Sequence, residues 1–230
     1  PAVIAELISP LSAEDIWNLL KHLKPNNRAE IFRHIEEDQQ LEIVAKLRRE
    51  EIACLFSELP PDERADLFKQ IPEKVRESFL PALAQAERED IRRLAAYQEG
   101  TAGAVMTSDY ATLSPYMTAS EAIEHLRSVA PDKETIYYAY VLDDRRKLIG
   151  FVSLKDLIIA RREVKVGDIM HTDTIFARVE EDQEAAARKI QKYDLLALPV
   201  INGDGTLVGI ITQDDAKGAV AVDNGQGKEI

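Results

Sequence analysis

Long apolar runs and cysteine are what this 230-residue sequence has least of. No uninterrupted apolar run exceeds about seven residues, whereas a membrane-spanning helix needs roughly 20, so we predict no membrane span. The first residues also lack the basic and then apolar pattern of a signal peptide, and we expect a soluble chain. The single cysteine, Cys54, excludes an intramolecular disulfide and a cysteine-rich zinc site, which fits a reducing compartment such as the cytosol.

Residues suited to catalysis are also scarce. No histidine has a second one at the i+4 spacing of metal ligands, and we expect solvent-facing or capping roles for His22, His34, His125 and His171. No nucleophile with a base and an orienting group is recognisable, so we predict that the chain is not an enzyme. Cys54 is expected to be a small buried apolar residue.

Positive charge is in the minority, because 41 Asp and Glu against 29 Lys and Arg give a formal net charge of −12. Such a surface repels phosphate backbones and concentrates cations. We therefore predict no nucleic-acid partner. An acidic surface that only keeps the chain soluble is the alternative.

Residues 1–98 show no strand-like alternation, but a pair of apolar residues spaced by four recurs every twelve residues. The pairs are Ile31/Ile35, Ile43/Leu47, Leu55/Leu59, Leu67/Ile71, Phe79/Leu83 and Ile91/Ala95. A twelve-residue step rotates a continuous helix by roughly 120° beyond whole turns, so one long helix would leave the pairs on different faces. Short helices separated by breakers such as Pro25, Pro60 and Pro72 can bury them all, which predicts a superhelical solenoid. Pro81 lies inside a pair and fits only if its helix starts late or kinks.

The composition changes near residues 98–104 to β-branched strands, and from there two units repeat. Their first halves align at an offset of 64, with Met106 over Met170, and their second halves at 59, with Gly150 over Gly209. Each unit reads as strand, helix, strand, strand, helix. The predicted elements are 112–114, 119–129, 136–142, 148–153 and 154–161, then 174–179, 183–193, 197–201, 207–212 and a helix from 213. The repeat predicts a pseudo-twofold pair of βαββα units.

The same polar signature ends the last strand of both units. Ser153 with Asp156, and Thr212 with Asp215, each predict a capping box at a helix N-terminus. A helix N-terminus also offers N–H groups to phosphate, and an aspartate there can accept hydrogen bonds from ribose hydroxyls, so capping and nucleotide binding both stay open. The stretch "GDGTLVG" at 203–209 lies between two strands and predicts a hairpin turn in preference to a phosphate loop.

Units that end in "GFVSLKDL" and "GIITQDDA" resemble a tandem pair of CBS (cystathionine β-synthase) domains. With the short-helix domain and the motifs "TAGAVMT", "ETIYYAYV" and "KYDLLALPV", nearly the whole chain resembles the cytosolic part of MgtE-family magnesium channels. The implied fold is multidomain, α and α+β: a solenoid over 1–98, CBS domain 1 over 99–163, CBS domain 2 over 164–222 and a tail over 223–230. Two departures are Gly100, where the family has an acidic residue, and "KGAVAVDNGQGKEI", where the family has a long helix towards the membrane.

The resemblance implies a Mg²⁺-sensing regulatory region on the cytoplasmic side of the cell membrane, which closes on bound Mg²⁺ to gate ion import. Mg²⁺ prefers oxygen ligands and is commonly held by one or two carboxylates. By this resemblance Glu184, Asp194 and Asp215 of the second CBS domain are ligands that face the solenoid, with Glu42 as the solenoid counterpart. The implied partners are a second copy of the chain, joined through the CBS domains, and a membrane-embedded channel domain of the same full-length protein.

Two other functions stay open. The first is a sensor of ATP or another adenine nucleotide, in which the resemblance places Tyr138 against the base, Lys155 on phosphate and Asp156 on ribose. Lys155 stands where the family often has arginine, so a bidentate phosphate contact would be lost. This function is compatible with Mg²⁺ sensing. The second is a helical protein-docking scaffold, which leaves the CBS pair without a task.

Overall fold

The computed structural model of the protein describes residues 1–216. The chain divides into two units between Ala96 and Tyr97. The first unit is helical, and the second contains both sheets. The predicted fold class is confirmed, whereas the continuation of the last helix beyond Ala216 and the 223–230 tail lie outside the described residues. Within the described part, no helix combines the length and apolar composition that a membrane crossing requires.

Eight short helices build the first unit. They are α1 (Ala2–Ile8), α2 (Ala13–Leu20), α3 (Pro25–Phe32), α4 (Glu37–Lys46), α5 (Arg49–Glu58), α6 (Pro61–Gln70), α7 (Glu73–Phe79) and α8 (Gln85–Ala95). Helices contact the helix two positions further on, as α2 does α4, α3 does α5 and α6 does α8. Ten of the twelve residues in the predicted pairs are buried, and Leu47 and Ala95 are partly buried. The twelve-residue repeat is therefore the repeat of this helix stack.

Proline marks the helix boundaries in this unit. Pro25 and Pro61 occupy the first helical position of α3 and α6, where the missing N–H costs no intrahelical hydrogen bond. Pro72 caps α7. Pro81 lies in a separate 3₁₀ turn, Leu80–Ala82, that follows the end of α7 at Phe79. Pro81 is thus compatible with its pair because the helix ends before it.

The expectation of a buried Cys54 is wrong, because Cys54 is exposed. Helix α5 turns Ile52, Ala53, Leu55 and Phe56 to the core, which leaves position 54 on the opposite face. The Sγ atom of Cys54 lies 3.3 Å from Oε1 of Glu58. Partial desolvation, and then the Glu58 carboxylate, raise the pKa of the Cys54 thiol, so it stays protonated at neutral pH.

The second unit contains two three-stranded sheets with the same topology, as the repeat predicts. The first has β1 (Tyr110–Leu113), α9 (Ala119–Val129), β2 (Thr135–Leu142), β3 (Leu148–Ser153) and α10 (Leu154–Ile159), and α11 (Val166–Ile169) follows it. The second has β4 (Ala177–Arg178), α12 (Gln183–Tyr193), β5 (Ala197–Ile201) and β6 (Leu207–Thr212), and residues 213–216 are helical. In each sheet the first strand is parallel to the second, which is antiparallel to the third.

One strand and two helices show the largest differences from the predicted elements. The strand predicted over 174–179 is reduced to β4, because only Ala177 and Arg178 pair with β5. The helix predicted over 154–161 ends at Ile159, and α11 was not predicted. The "GDGTLVG" hairpin is confirmed: Asn202 Oδ1 accepts hydrogen bonds from the N–H groups of Asp204 and Thr206, and Gly205 has φ 81°.

The third strand of each sheet also pairs with a short segment of the chain that leads into the other sheet. The chain before β4 pairs with β3 through His171 and Phe151, and the chain before β1 pairs with β6 through Thr107 and Ile210. Glycines make room for both: a Cβ on Gly150 would lie 2.6 Å from the His171 carbonyl oxygen, and one on Gly209 would lie 2.9 Å from the Thr107 oxygen. The repeated glycine of "LIGFVS" and "LVGIIT" therefore permits this close approach.

Candidate functional site

A cavity of about 110 Å³ lies between the two sheets of the second unit. Its lining is mostly apolar and aromatic, and comprises Tyr138, Tyr140, Phe151, Asp173, Thr174, Ile175, Leu195, Ala197 and Pro199. The Tyr138 and Phe151 rings meet edge to face with centroids 5.5 Å apart. A cavity of about 150 Å³ in another protein binds benzene, so this space suits part of one planar ring, with any attached groups outside it.

Two ring contacts connect the carboxylate of Asp156 to this cavity. Phe151, which lines the cavity, stacks on the His171 ring at a centroid distance of 5.0 Å. His171 Nε2 is 3.1 Å from Asp156 Oδ2. The direct passage from β3 into α10 therefore places a carboxylate of the first helical turn beside the aromatic wall.

Asp156 also closes the predicted capping box, which is confirmed. The Ser153 N–H and hydroxyl donate to Asp156 Oδ2 at 3.1 and 2.5 Å, and the Asp156 N–H donates to Ser153 Oγ at 3.1 Å. Desolvation raises the pKa of Asp156, but the hydrogen bonds from Ser153 and the contact with His171 outweigh it, so the pKa is lowered. Asp156 is therefore charged at neutral pH, and each of these side-chain hydrogen bonds uses Oδ2.

The three residues predicted for nucleotide binding share one end of the first sheet. Tyr138 pairs with Ser153 in the β2–β3 register, and Lys155 and Asp156 follow Ser153 at the start of α10. Lys155 is exposed. An aromatic ring, a flexible cation and a carboxylate are thus adjacent, which suits a ligand with a planar ring, hydroxyl groups and a negative charge.

The residues predicted to bind Mg²⁺ are more dispersed. Glu184, in the first turn of α12, pairs with Arg188 at 3.3 Å. Asp194 is exposed and ends α12 in the left-handed conformation, with φ 50°. Asp215 Oδ2 accepts hydrogen bonds from the Thr212 N–H and hydroxyl at 2.8 and 2.7 Å, as the second predicted capping box requires.

Glu42 lies in the first unit, exposed on α4, and lines a groove of about 540 Å³ together with Asp38. Over residues 1–216, no three His, Cys, Asp or Glu side chains come together as a metal cage. Mg²⁺ often keeps several waters and is held by one or two carboxylates.

Sequence reasoning missed two residues that line the cavity and one contact beside it. His171 is exposed, as expected, and its ring also contacts Asp156. Tyr140 and Thr174 line the cavity with Tyr138. The repeat offers a signal for two of them, because an offset of 64 places Thr107 opposite His171 and Tyr110 opposite Thr174. The two halves therefore differ in side chains at equivalent positions beside the clefts.

Known proteins resemble this chain over nearly its whole length. Residues 1–100 match the description "MgtE intracellular N domain", and residues 102–163 and 166–222 match "CBS domain". The magnesium transporter MgtE of Thermus thermophilus is 44% identical over 128 residues, which is 56% of this chain and 28% of that protein. This chain spans only 28–30% of the length of such curated relatives.

Two solved structures resemble both units. The crystal structure of the soluble part of a magnesium transporter has a TM-score of 0.87 and 32% identity, covering 97% of this chain and 87% of that one. The cytosolic domain of the Mg²⁺ channel MgtE in complex with ATP has a TM-score of 0.70 and 33% identity, covering 93% and 92%. One relative of this fold was therefore crystallised with a nucleotide.

Proposed function

Because the chain belongs to the MgtE family, with the family's intracellular N domain followed by a pair of CBS domains, we propose that it is the regulatory region of a magnesium transporter. In this proposal it lies on the cytoplasmic side of the membrane, senses Mg²⁺ and closes on the bound ion to limit import. The role is regulatory and requires no catalysis. The observation that supports this proposal most directly is that an MgtE N domain is followed by a pair of CBS domains in one chain.

The acidic surface supports Mg²⁺ as the signal. The chain carries a net charge of −12, and the proposed ligands Glu42 and Asp194 are exposed, one in each unit. Carboxylates that face one another at about 4 Å repel by roughly 1 kcal/mol in a water-like medium and by up to about 4 kcal/mol where they are partly shielded. A bound divalent ion reverses the sign of this interaction. We propose that Glu42, Glu184, Asp194 and Asp215 supply carboxylates that bind Mg²⁺.

A magnesium titration of the melting temperature tests this proposal. Millimolar MgCl₂ should raise the melting temperature beyond NaCl of matched ionic strength, because an ion that binds only the folded state stabilises it. Asp194→Ala combined with Asp215→Ala should weaken this response, and in the full-length transporter should leave the pathway open at high internal Mg²⁺. Asp156→Ala removes an equivalent helix cap from the first CBS domain and is the control. Equal responses of the double variant and the control would refute the assignment.

Two partners belong to the same proposal. A membrane-embedded channel domain of the full-length chain would receive the signal. A second copy would join through helices α9 and α12, each of which has one apolar face, since twofold pairing is the commonest oligomer. Light scattering at micromolar protein should give about twice the mass of one chain. A monomer both with and without Mg²⁺ would contradict the dimer.

A second function, binding of an adenine nucleotide, is favoured by a separate observation. The cavity beside Tyr138 has an aromatic wall, and the Asp156 carboxylate lies two ring contacts away from it. In the proposed mode the base enters the cavity, Asp156 accepts from the ribose hydroxyls and Lys155 approaches the phosphates. Calorimetric titration with ATP and AMP, without divalent ions, tests this mode. Absence of heat with both nucleotides would refute it and leave the Mg²⁺ proposal untouched.

A further inference from the structure

Two side chains of the cavity carry buried hydroxyl groups that have no hydrogen-bond partner among residues 1–216. They belong to Tyr140 and Thr174. Tyr140 is 2% exposed and lies in the middle of β2. A buried hydroxyl without a partner destabilises a fold, and most are paired with protein or water. Two unpaired buried hydroxyls beside one small cavity indicate that a ligand is their hydrogen-bond partner.

The equivalent position in the first half of the repeat carries a larger side chain. Tyr110 occupies the position equivalent to Thr174, at the offset of 64. Its ring packs on a cluster that includes Ala197, Leu207 and Ile210, and its hydroxyl donates to the Leu207 carbonyl at 3.1 Å. The large side chain thus fills its cleft and satisfies its own hydroxyl. Threonine at position 174 is smaller and leaves both space and an unpaired hydroxyl.

We propose that the hydroxyls of Tyr140 and Thr174 recognise the polar edge of a heterocyclic base in this cavity. This inference rests on the nucleotide-binding function proposed above. In this proposal the side chains that recognise the base lie on β2 and before β4. They are separate from Asp156 and Lys155, which bind the sugar and the phosphates.

The chemistry of the lining supports this division. Apart from Tyr138 and Asp173, the other walls, among them Ile175, Leu195 and Pro199, offer apolar side chains that exclude water but cannot select a base. Burial raises the pKa of Tyr140 far above neutral pH, so its hydroxyl keeps its proton and can donate to a ring nitrogen. A threonine hydroxyl can both donate and accept. A site built to hydrogen-bond its ligand discriminates against a base that leaves these groups unpaired.

Two conservative variants test the assignment. Tyr140→Phe and Thr174→Val remove the hydroxyls and keep the shape of the side chains. Each should weaken binding of both ATP and AMP about three- to tenfold, the loss expected for one hydrogen bond. Without ligand the melting temperature of each should stay equal to the wild-type value or rise, because no pairing is lost. Tyr110→Phe is the matched control: it should lower the melting temperature, since it breaks the bond to Leu207, and leave nucleotide affinity unchanged.

The outcomes separate this inference from the function on which it rests. Wild-type protein that binds neither nucleotide would refute the nucleotide function. Wild-type protein that binds, with Tyr140→Phe and Thr174→Val binding as tightly, would refute base recognition alone. A melting temperature lowered in Tyr140→Phe as much as in Tyr110→Phe would also overturn it, because the hydroxyl would then have a structural partner. Weaker binding of ATP with unchanged AMP binding would point to the phosphates and count against the proposal.

Discussion

Replacing Asp156 by alanine should have two effects that can be measured separately. The first is loss of the capping box with Ser153 and of the contact with His171. Removal of such a cap costs about 0.5–2 kcal/mol. For a chain of this size, 1 kcal/mol shifts the melting temperature by about 2–4 °C, so the ligand-free variant should melt about 1–8 °C below the wild type.

The second effect is loss of nucleotide-induced stabilisation. A ligand present at 100 times its Kd stabilises the folded state by about 2.7 kcal/mol, which corresponds to a rise of roughly 5–11 °C. This rise should be absent in Asp156→Ala, because the ribose loses its acceptor. Thermal melting with and without ATP, in buffer free of divalent ions, measures both effects on one sample.

Asp215→Ala is the matched control, because the carboxylate of Asp215 accepts the same two hydrogen bonds from Thr212. It should lower the ligand-free melting temperature to a similar extent and retain the full ATP response. A full ATP response in Asp156→Ala would refute the role of Asp156. Equal loss of the response in both variants would show that capping, and not ligand contact, underlies it.

The contribution of Asp156 to stability should also depend on pH. Its pKa is lowered in the folded protein, so the stabilisation is present above its unfolded pKa and is lost as the pH falls through the folded value. The difference in unfolding free energy between wild type and Asp156→Ala should therefore shrink as the pH falls below about 4. Urea denaturation at several pH values measures this difference. A difference that grows as the pH falls below about 4 would contradict the lowered pKa.

Two further predictions concern packing. Phe56→Ala should destabilise the first unit by about 3–5 kcal/mol, because the ring is fully buried 4.6 Å from Phe79; urea denaturation checks this, and a loss below about 1 kcal/mol would contradict it. Gly150→Ala should cost about 1–3 kcal/mol and weaken ATP binding, because its Cβ would meet the His171 carbonyl at 2.6 Å. Gly203→Ala, with no atom within 4 Å of its Cβ, is the control in melting and calorimetry, and equal effects of the two would refute the close-approach argument.

Much of the fold could be predicted because it repeats. The twelve-residue spacing identified ten of the buried residues of the helix stack, and the offsets of 64 and 59 identified both sheets. The strand over 174–179 was overestimated because alternation indicates an extended chain but not which residues find a pairing partner, and only two do. Cys54 was misplaced because apolar neighbours in sequence lie on different faces of a helix.

The candidate site could be predicted only in part. Asp156 follows from a local motif, since a capping box is formed within four residues. Tyr140 and Thr174 lie in different halves of the repeat, and their shared cavity depends on how the two sheets pack. No spacing in the sequence reveals that packing, because it is a property of the tertiary structure. The same holds for the absence of hydrogen-bond partners for their hydroxyls within the described part.

The radius of gyration during a magnesium titration tests the central claim, a region that closes on Mg²⁺, most directly. Small-angle scattering should show a smaller radius as MgCl₂ rises through the millimolar range, and no change with NaCl at matched ionic strength. Asp194→Ala with Asp215→Ala should reduce the change. A radius that stays constant across the titration, with the wild-type chain folded throughout, would contradict Mg²⁺-driven closure and leave nucleotide binding as the better supported function.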